Sequence, residues 1–129
     1  MTNILVVDDS PTIRRMVRAA LAPVGETRFV EAETGLEAIE RLAFAPVALI
    51  VLDLNMPDMH GIEVLKFVRA HESYRGIPVL VLTTRQDDAS RAAALGAGAT
   101  AYVTKPFAPA TLAGEARRLL ASGGVGAGR

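Results

Sequence analysis

Three uninterrupted apolar runs, Ile4-Leu5-Val6-Val7, Leu49-Ile50-Val51-Leu52 and Val79-Leu80-Val81-Leu82, constrain this chain more than any other feature. A strand with one wet face alternates polar and apolar residues, so a run without alternation has to be covered on both faces. Between the runs the apolar spacing becomes helical. Ile13, Met16, Val17, Ala20, Leu21 and Val24 form one amphipathic stripe, opened by Ser10 as N-cap and Pro11 in the first turn, and closed by Gly25. Thr34 and Glu37 stand at capping-box spacing before a helix that carries Ala38, Ile39 and Leu42. Ile62, Leu65 and Val68 mark a third helix, and an Ala-rich stretch from about Ala89 to Leu95 a fourth, ending at Gly96. With its thin apolar stripe the fourth helix is expected to be the loosest element. Pro109 opens the last helix, which turns Leu112, Ala116, Leu119 and Leu120 inward. Phe29-Val30 and Ala101-Tyr102-Val103 supply two weaker strands.

Five strands alternating with five helices predict an α/β fold, a parallel sheet covered on both faces. Right-handed crossovers leave few topologies, and the site of such a sheet lies outside the carboxyl ends of its strands. At 129 residues, half of them hydrophobic, the chain suits one domain, expected over 1–121 and followed by a flexible glycine-rich tail over 122–129. There are no cysteines, which excludes disulfides, thiol nucleophiles and Cys-zinc sites. No apolar run approaches the ~20 residues that span a bilayer, and Met1-Thr2-Asn3 does not start a secretory signal. The 14 basic and 14 acidic residues balance, so no nucleic-acid footprint is expected. Arg14, Arg15 and Arg18 cluster, and are read as a solvated helix face. The expectation is a cytoplasmic domain with neither nucleic-acid binding nor membrane insertion.

The chemistry lies in the residues at the carboxyl end of each strand. The first strand ends in Asp8-Asp9, the third in Asp53, the fourth in Thr83-Thr84, and the fifth leads into Thr104-Lys105-Pro106. If these strands are neighbours, carboxylates, hydroxyls and one ammonium converge. Two carboxylates ~4 Å apart repel by roughly 4 kcal/mol at an effective dielectric of ~20. Lys105 offers a single positive charge against Asp8, Asp9 and Asp53, so either a carboxyl pKa rises or a cation binds. A site of oxygen ligands without His or Cys suits a hard cation, Mg²⁺ first, with Mn²⁺ or Ca²⁺ behind it. An open magnesium site beside a carboxylate suits phosphoryl transfer, with aspartate as nucleophile. Each residue also has a bland reading: Asp9 and Ser10 as caps, Asp53 as a turn residue, Thr83 and Thr84 as β-branched strand ends, Lys105 on the surface, Tyr102 as a fixed core aromatic.

Asp8-Asp9, Asp53, Thr83 and Lys105-Pro106, in this order and at these spacings, resemble the receiver domains of two-component signalling. The stretch Asp53-Leu54-Asn55-Met56-Pro57-Asp58-Met59-His60-Gly61 is similar to the loop after that family's phosphorylated strand, and Gly96-Ala97-Gly98-Ala99 leading to Tyr102 also fits. The resemblance runs from about Asn3 to Leu120. It implies the flavodoxin-like, doubly wound strand order 2-1-3-4-5, of which this family's chemotaxis regulator is a standard example.

The resemblance also assigns roles. Asp53 would accept the phosphoryl group. Asp9 and Asp53 would ligate Mg²⁺ through side chains and Asn55 through its main-chain carbonyl, with Asp8 holding a metal-bound water. Lys105, before a cis peptide to Pro106, would contact the phosphoryl group, and the Thr84 amide would add a contact. Thr83 would move to the phosphate and Tyr102 would change rotamer with it, altering the surface of the fourth helix, fifth strand and fifth helix. Arg85 and Asn55 are placed to reach over the acyl phosphate. His60 stands where many members of the family have aspartate; it and His71 are read as surface residues, and Met56 and Met59 as loop packing.

The implied protein is a regulatory phosphoacceptor, monomeric when unphosphorylated. Its partners are a histidine kinase or histidine phosphotransfer protein and a downstream protein, with chemotaxis favoured by the match around Asn55 and Lys66. A phosphorelay intermediate and a kinase-regulating receiver are the alternatives. A nucleotide-binding domain is disfavoured because Asp8-Asp9-Ser10 occupies the turn where a glycine-rich loop belongs. An aspartyl-nucleophile phosphatase would carry Asp-x-Asp on its first strand, unlike the adjacent aspartates here.

Overall fold

The computed structural model describes residues 1–127. Its elements run in the order β1 (Thr2–Val7), α1 (Pro11–Leu21), a short 3₁₀ turn (Ala22–Val24), β2 (Thr27–Ala32), α2 (Gly35–Phe44), β3 (Leu49–Leu52), α3 (Gly61–Ala70), β4 (Val79–Thr83), α4 (Asp88–Gly96), β5 (Ala101–Thr104) and α5 (Pro109–Ala127). The five strands are parallel in the order β2-β1-β3-β4-β5, as the resemblance implies. The helical backbone of α5 continues into the segment 122–129, whose last two residues lie outside the described ones. No helix among the described residues is long and apolar enough to cross a membrane.

The continuous apolar runs build two cores, because alternate side chains point to opposite faces of a strand. Leu5, Val7, Ile50, Leu52, Val79 and Val81 pack with Ala38 and Leu42 of α2 and Val64, Leu65 and Val68 of α3. Ile4, Val6, Leu49, Val51, Leu80 and Leu82 pack with Val17 and Leu21 of α1 and Leu112, Ala116 and Leu119 of α5. Burying a large apolar side chain stabilises by about 1.5–3 kcal/mol. By that measure α4, which buries only Ala94, is the most weakly held helix.

The predicted caps are present: the Ser10 hydroxyl accepts from the Ile13 amide at 3.2 Å and the Thr34 hydroxyl from the Glu37 amide at 3.0 Å. Glu37 reaches back one residue further than a standard capping box, to the Glu33 amide at 3.0 Å. The second strand is longer than its short apolar signal suggests. Thr27–Ala32 pairs along the whole of β1, because backbone hydrogen bonds, not side-chain burial, define an edge strand.

The basic cluster on α1 is not simply solvated. Arg14 pairs with Glu31 of β2 at 2.8 Å, Arg18 pairs with the same carboxylate, and only Arg15 keeps the expected exposed place. Burial acts to raise the Glu31 pKa, but the two guanidinium groups outweigh it and hold the carboxyl below its ordinary range.

Candidate functional site

Strand register brings the polar strand ends together. Val7 stands opposite Leu52, so Asp8 and Asp53 leave the sheet side by side, and the Asp53 amide donates to the Val7 carbonyl at 3.0 Å. Thr83 stands opposite Thr104, which places Lys105 one step beyond, its amide donating to the Thr83 carbonyl at 2.8 Å. The cluster lies where the order of strands reverses around β1, the crevice in which doubly wound sheets bind ligands.

Asp8 and Asp53 are buried, Asp9 is exposed, and each offers a carboxylate oxygen within 4.8 Å of the others. The Lys105 ammonium lies 2.6 Å from Asp8 Oδ2 and 3.8 Å from Asp53 Oδ1. The other Asp8 oxygen accepts from the Ser10 amide at 2.9 Å, and Arg14 Nη1 donates to the Asp8 carbonyl at 2.7 Å. Asp53 Oδ1 also accepts from the Asn55 amide, at 3.2 Å. Burial pushes the Asp53 pKa up, and the charges of Asp8 and Asp9 add to that; Lys105 and the Asn55 amide oppose the rise without cancelling it. Negative charge therefore exceeds what the chain compensates. Three clustered carboxylates with no nitrogen or sulfur ligand among them fit a hard divalent cation.

Thr83 is fully buried, its hydroxyl accepting from the Arg85 amide at 3.3 Å, whereas Thr84 is exposed beyond it. Arg85 joins two parts of the site. Its Nε donates to Asn55 Oδ1 at 2.9 Å, and its carbonyl accepts from the Tyr102 hydroxyl at 2.9 Å. The Arg91 guanidinium sits 5.5 Å from the centroid of the Tyr102 ring. Lys105-Pro106 is cis.

His60 and His71 lie outside the cluster. His60 is exposed but acts as the N-cap of α3, its Nδ1 accepting from the Ile62 amide at 3.2 Å; His71 stacks on Tyr74 at 4.2 Å. Three contacts around the site were not read from the chain: Arg14 behind Asp8, the Asp58 carboxylate on the first turn of α2, and the close approach of Gly61 to the Asp53 carbonyl. Each depends on which elements end up adjacent. A glycine directly before a helical stripe was the one visible hint of the last.

Residues 4–117 match the family described as response regulator receiver domain. The chain is 42% identical over 111 residues to chemotaxis protein CheY1 of Helicobacter pylori, an alignment covering 85% of this chain and 90% of that protein. It superposes on the chemotaxis response regulator CheY4 of Vibrio cholerae with a TM-score of 0.84 and 37% identity, covering 92% of this chain and 98% of that one. A further similar structure is the Mn²⁺-bound form of response regulator Rcp1, with a TM-score of 0.78 and 28% identity over 92% of this chain and 91% of that one.

Proposed function

The chain belongs to the response regulator receiver domain family, and from that membership we propose that Asp53 takes up the phosphoryl group, with Asp8, Asp9 and Asp53 serving a Mg²⁺ site completed by the Asn55 main-chain carbonyl. The protein is a phosphoacceptor of regulatory type and not a classical enzyme, and its phosphoryl donor is a histidine kinase. The observation that carries the assignment is a buried Asp53 carboxylate that faces the Lys105 ammonium at 3.8 Å beside two further carboxylates.

An Asp53 oxygen attacks phosphorus, the bond from phosphorus to the donor nitrogen breaks, and an acyl phosphate forms on Asp53. The nucleophile has to be ionised although burial disfavours its charge, and Lys105 supplies part of the counter-charge. Mg²⁺ held there would supply further positive charge against the phosphoryl oxygens, and Mn²⁺ would suit the same ligands. Asp9 and Asp53 would hold the ion through their carboxylates, and Asp8, already engaged by Lys105, would support it through water. The Thr84 amide and the Thr83 hydroxyl turn to the phosphoryl oxygens.

The added charge of roughly −1.5 to −2 reaches a distant partner only through an element with two arrangements. Thr83 and Tyr102 are that element here, tied together through Arg85, with weakly held α4 beside them. The output is read as a protein that binds α4, β5 and α5, in chemotaxis, as the names of the Helicobacter pylori and Vibrio cholerae relatives suggest; a phosphorelay role is the second reading.

Intact mass after incubation with Mg²⁺ and a small acyl-phosphate donor tests the assignment. The parent is expected to gain one phosphoryl group, which Asp53→Asn and chelation of the metal both prevent. Persistent gain in Asp53→Asn would move the acceptor elsewhere. Arg85 tunes lifetime in this reading, since it is linked to Asn55, whose amide donates to Asp53. Arg85→Ala is expected to hydrolyse the acyl phosphate faster, by about threefold or ~0.7 kcal/mol. Equal decay rates for variant and parent would remove that role.

A further inference from the structure

Asp58 sits midway along the loop between β3 and α3, exposed, with no place in the acid cluster. Its two carboxylate oxygens nonetheless have separate partners on another element. Oδ1 accepts from the Gly35 amide at 3.0 Å and Oδ2 from the Leu36 amide at 3.1 Å, the first two amides of α2. Burial acts to raise its pKa, but these amides prevail and hold the carboxyl below its ordinary range. The next residue presses on the same turn: a Cβ added at Gly35 would lie 2.7 Å from Met59 Cβ and 3.1 Å from its sulfur.

The first turn of α2 does not depend on this carboxylate to be capped. Thr34 caps it from within the chain, and Glu37 returns to the Glu33 amide. The amides of a first helical turn have no partner inside the helix, so they form a fixed anchorage that the loop can use. The structure thus assigns Asp58 as a positioning residue for the metal site: it fastens the loop after β3 to the first turn of α2 and so holds the Asn55 main-chain carbonyl, three residues away, ready for the cation. This rests on the reading of the Asn55 carbonyl as a ligand. A loop ordered in advance loses less freedom when the ion binds, which is how groups behind the ligands of a metal raise affinity.

Calorimetric titration with MgCl₂ separates positioning from simple helix capping. Asp58→Ala is expected to bind Mg²⁺ about tenfold more weakly than the parent. Asp58→Asn, whose amide oxygen still accepts one bond, is expected to recover part of the loss. Thr34→Ala removes the helix's own cap and lowers the unfolding temperature, but should leave Mg²⁺ affinity unchanged. Coupling is reciprocal, so Mg²⁺ should slow hydrogen exchange at the Gly35 and Leu36 amides of the parent. Parental affinity in Asp58→Ala, or an equal loss in Thr34→Ala, would overturn the assignment while leaving phosphorylation of Asp53 intact. A parent that binds no Mg²⁺ would remove the functional reading and this one together.

Discussion

Gly61→Ala is expected to destabilise the protein by about 3 kcal/mol, at the upper end for an overpacked buried site. Helix propensity by itself predicts a gain of about 1 kcal/mol for the same change. The sign is reversed by tertiary packing. Gly61 is buried at the start of α3, and its amide donates to the Leu54 carbonyl at 3.0 Å. A Cβ there would overlap the Asp53 carbonyl oxygen and lie 2.6 Å from Leu54 Cα. Both are backbone atoms, and the chain leading to them is pinned between β1 and β4, where Leu52 stands opposite Val7 and Val81. Either α3 lifts away from its core or Asp53 shifts toward the neighbouring carboxylates. A misplacement of ~1 Å is enough to slow a reaction about 10²-fold, so phosphoryl uptake should fall along with stability. Gly114→Ala in α5 is the control: nothing beyond the neighbouring backbone of its own helix lies within 4 Å of a Cβ there, and propensity should win. Urea unfolding and intact-mass kinetics on both variants provide the comparison. Undiminished stability in Gly61→Ala would show that the close approach imposes no constraint.

Lys105→Met keeps the length of the side chain and removes its charge. Its ammonium is the cation that faces both Asp8 and Asp53, and the three side chains are 12%, 4% and 6% exposed. Breaking a buried pair from one side costs about 3–5 kcal/mol, and the lower figure is expected at pH 8 without metal. The loss should depend on pH in a definite direction. The Asp53 pKa is already raised in the folded protein, by burial first, although Lys105 acts to lower it. A carboxyl whose folded pKa exceeds its unfolded value favours folding below the unfolded pKa, and that contribution is lost as pH rises through the folded one. Removing Lys105 raises the folded pKa further, so the variant should approach parental stability on acidification and separate from it as pH rises through the folded Asp53 pKa. Added Mg²⁺ should restore part of the difference at pH 8, because it replaces positive charge among the carboxylates. Phosphoryl uptake should fall about 10²-fold, the usual effect of deleting one group that stabilises developing charge. Urea midpoints across pH, with and without Mg²⁺, check the first part and intact-mass kinetics the second. A pH-independent deficit would mean that Lys105 acts through packing alone.

Much of this architecture was legible in the amino-acid order. Uninterrupted runs such as Leu49–Leu52 read as strands covered on both faces, and the helical stripes between them supply the cover. Ser10, Pro11 and Thr34 announced where helices begin, because a cap acts on amides two or three residues away. The polar residues after each strand announced a single edge, because parallel strands all point their carboxyl ends the same way. Local pattern encodes burial and direction, and these are decided within a few residues.

Pairing is decided elsewhere. Apolar runs do not say which strands lie side by side; the order 2-1-3-4-5 came from resemblance, and it is this order, with its register, that sets Asp8 beside Asp53 and Lys105 between them. The full length of β2, the ion pairs of Arg14 and Arg18 with Glu31, the bridge of Arg85 from Asn55 to Tyr102 and the hold of Asp58 on α2 belong to the same class. Each joins residues on separate elements through long polar side chains or backbone, whose placement has no periodicity along the chain. The order of residues was enough to say which faces are apolar and which chemical groups stand at the strand ends. The distances among those groups came only with the folded arrangement, since they depend on the packing of helices and loops far apart in the chain.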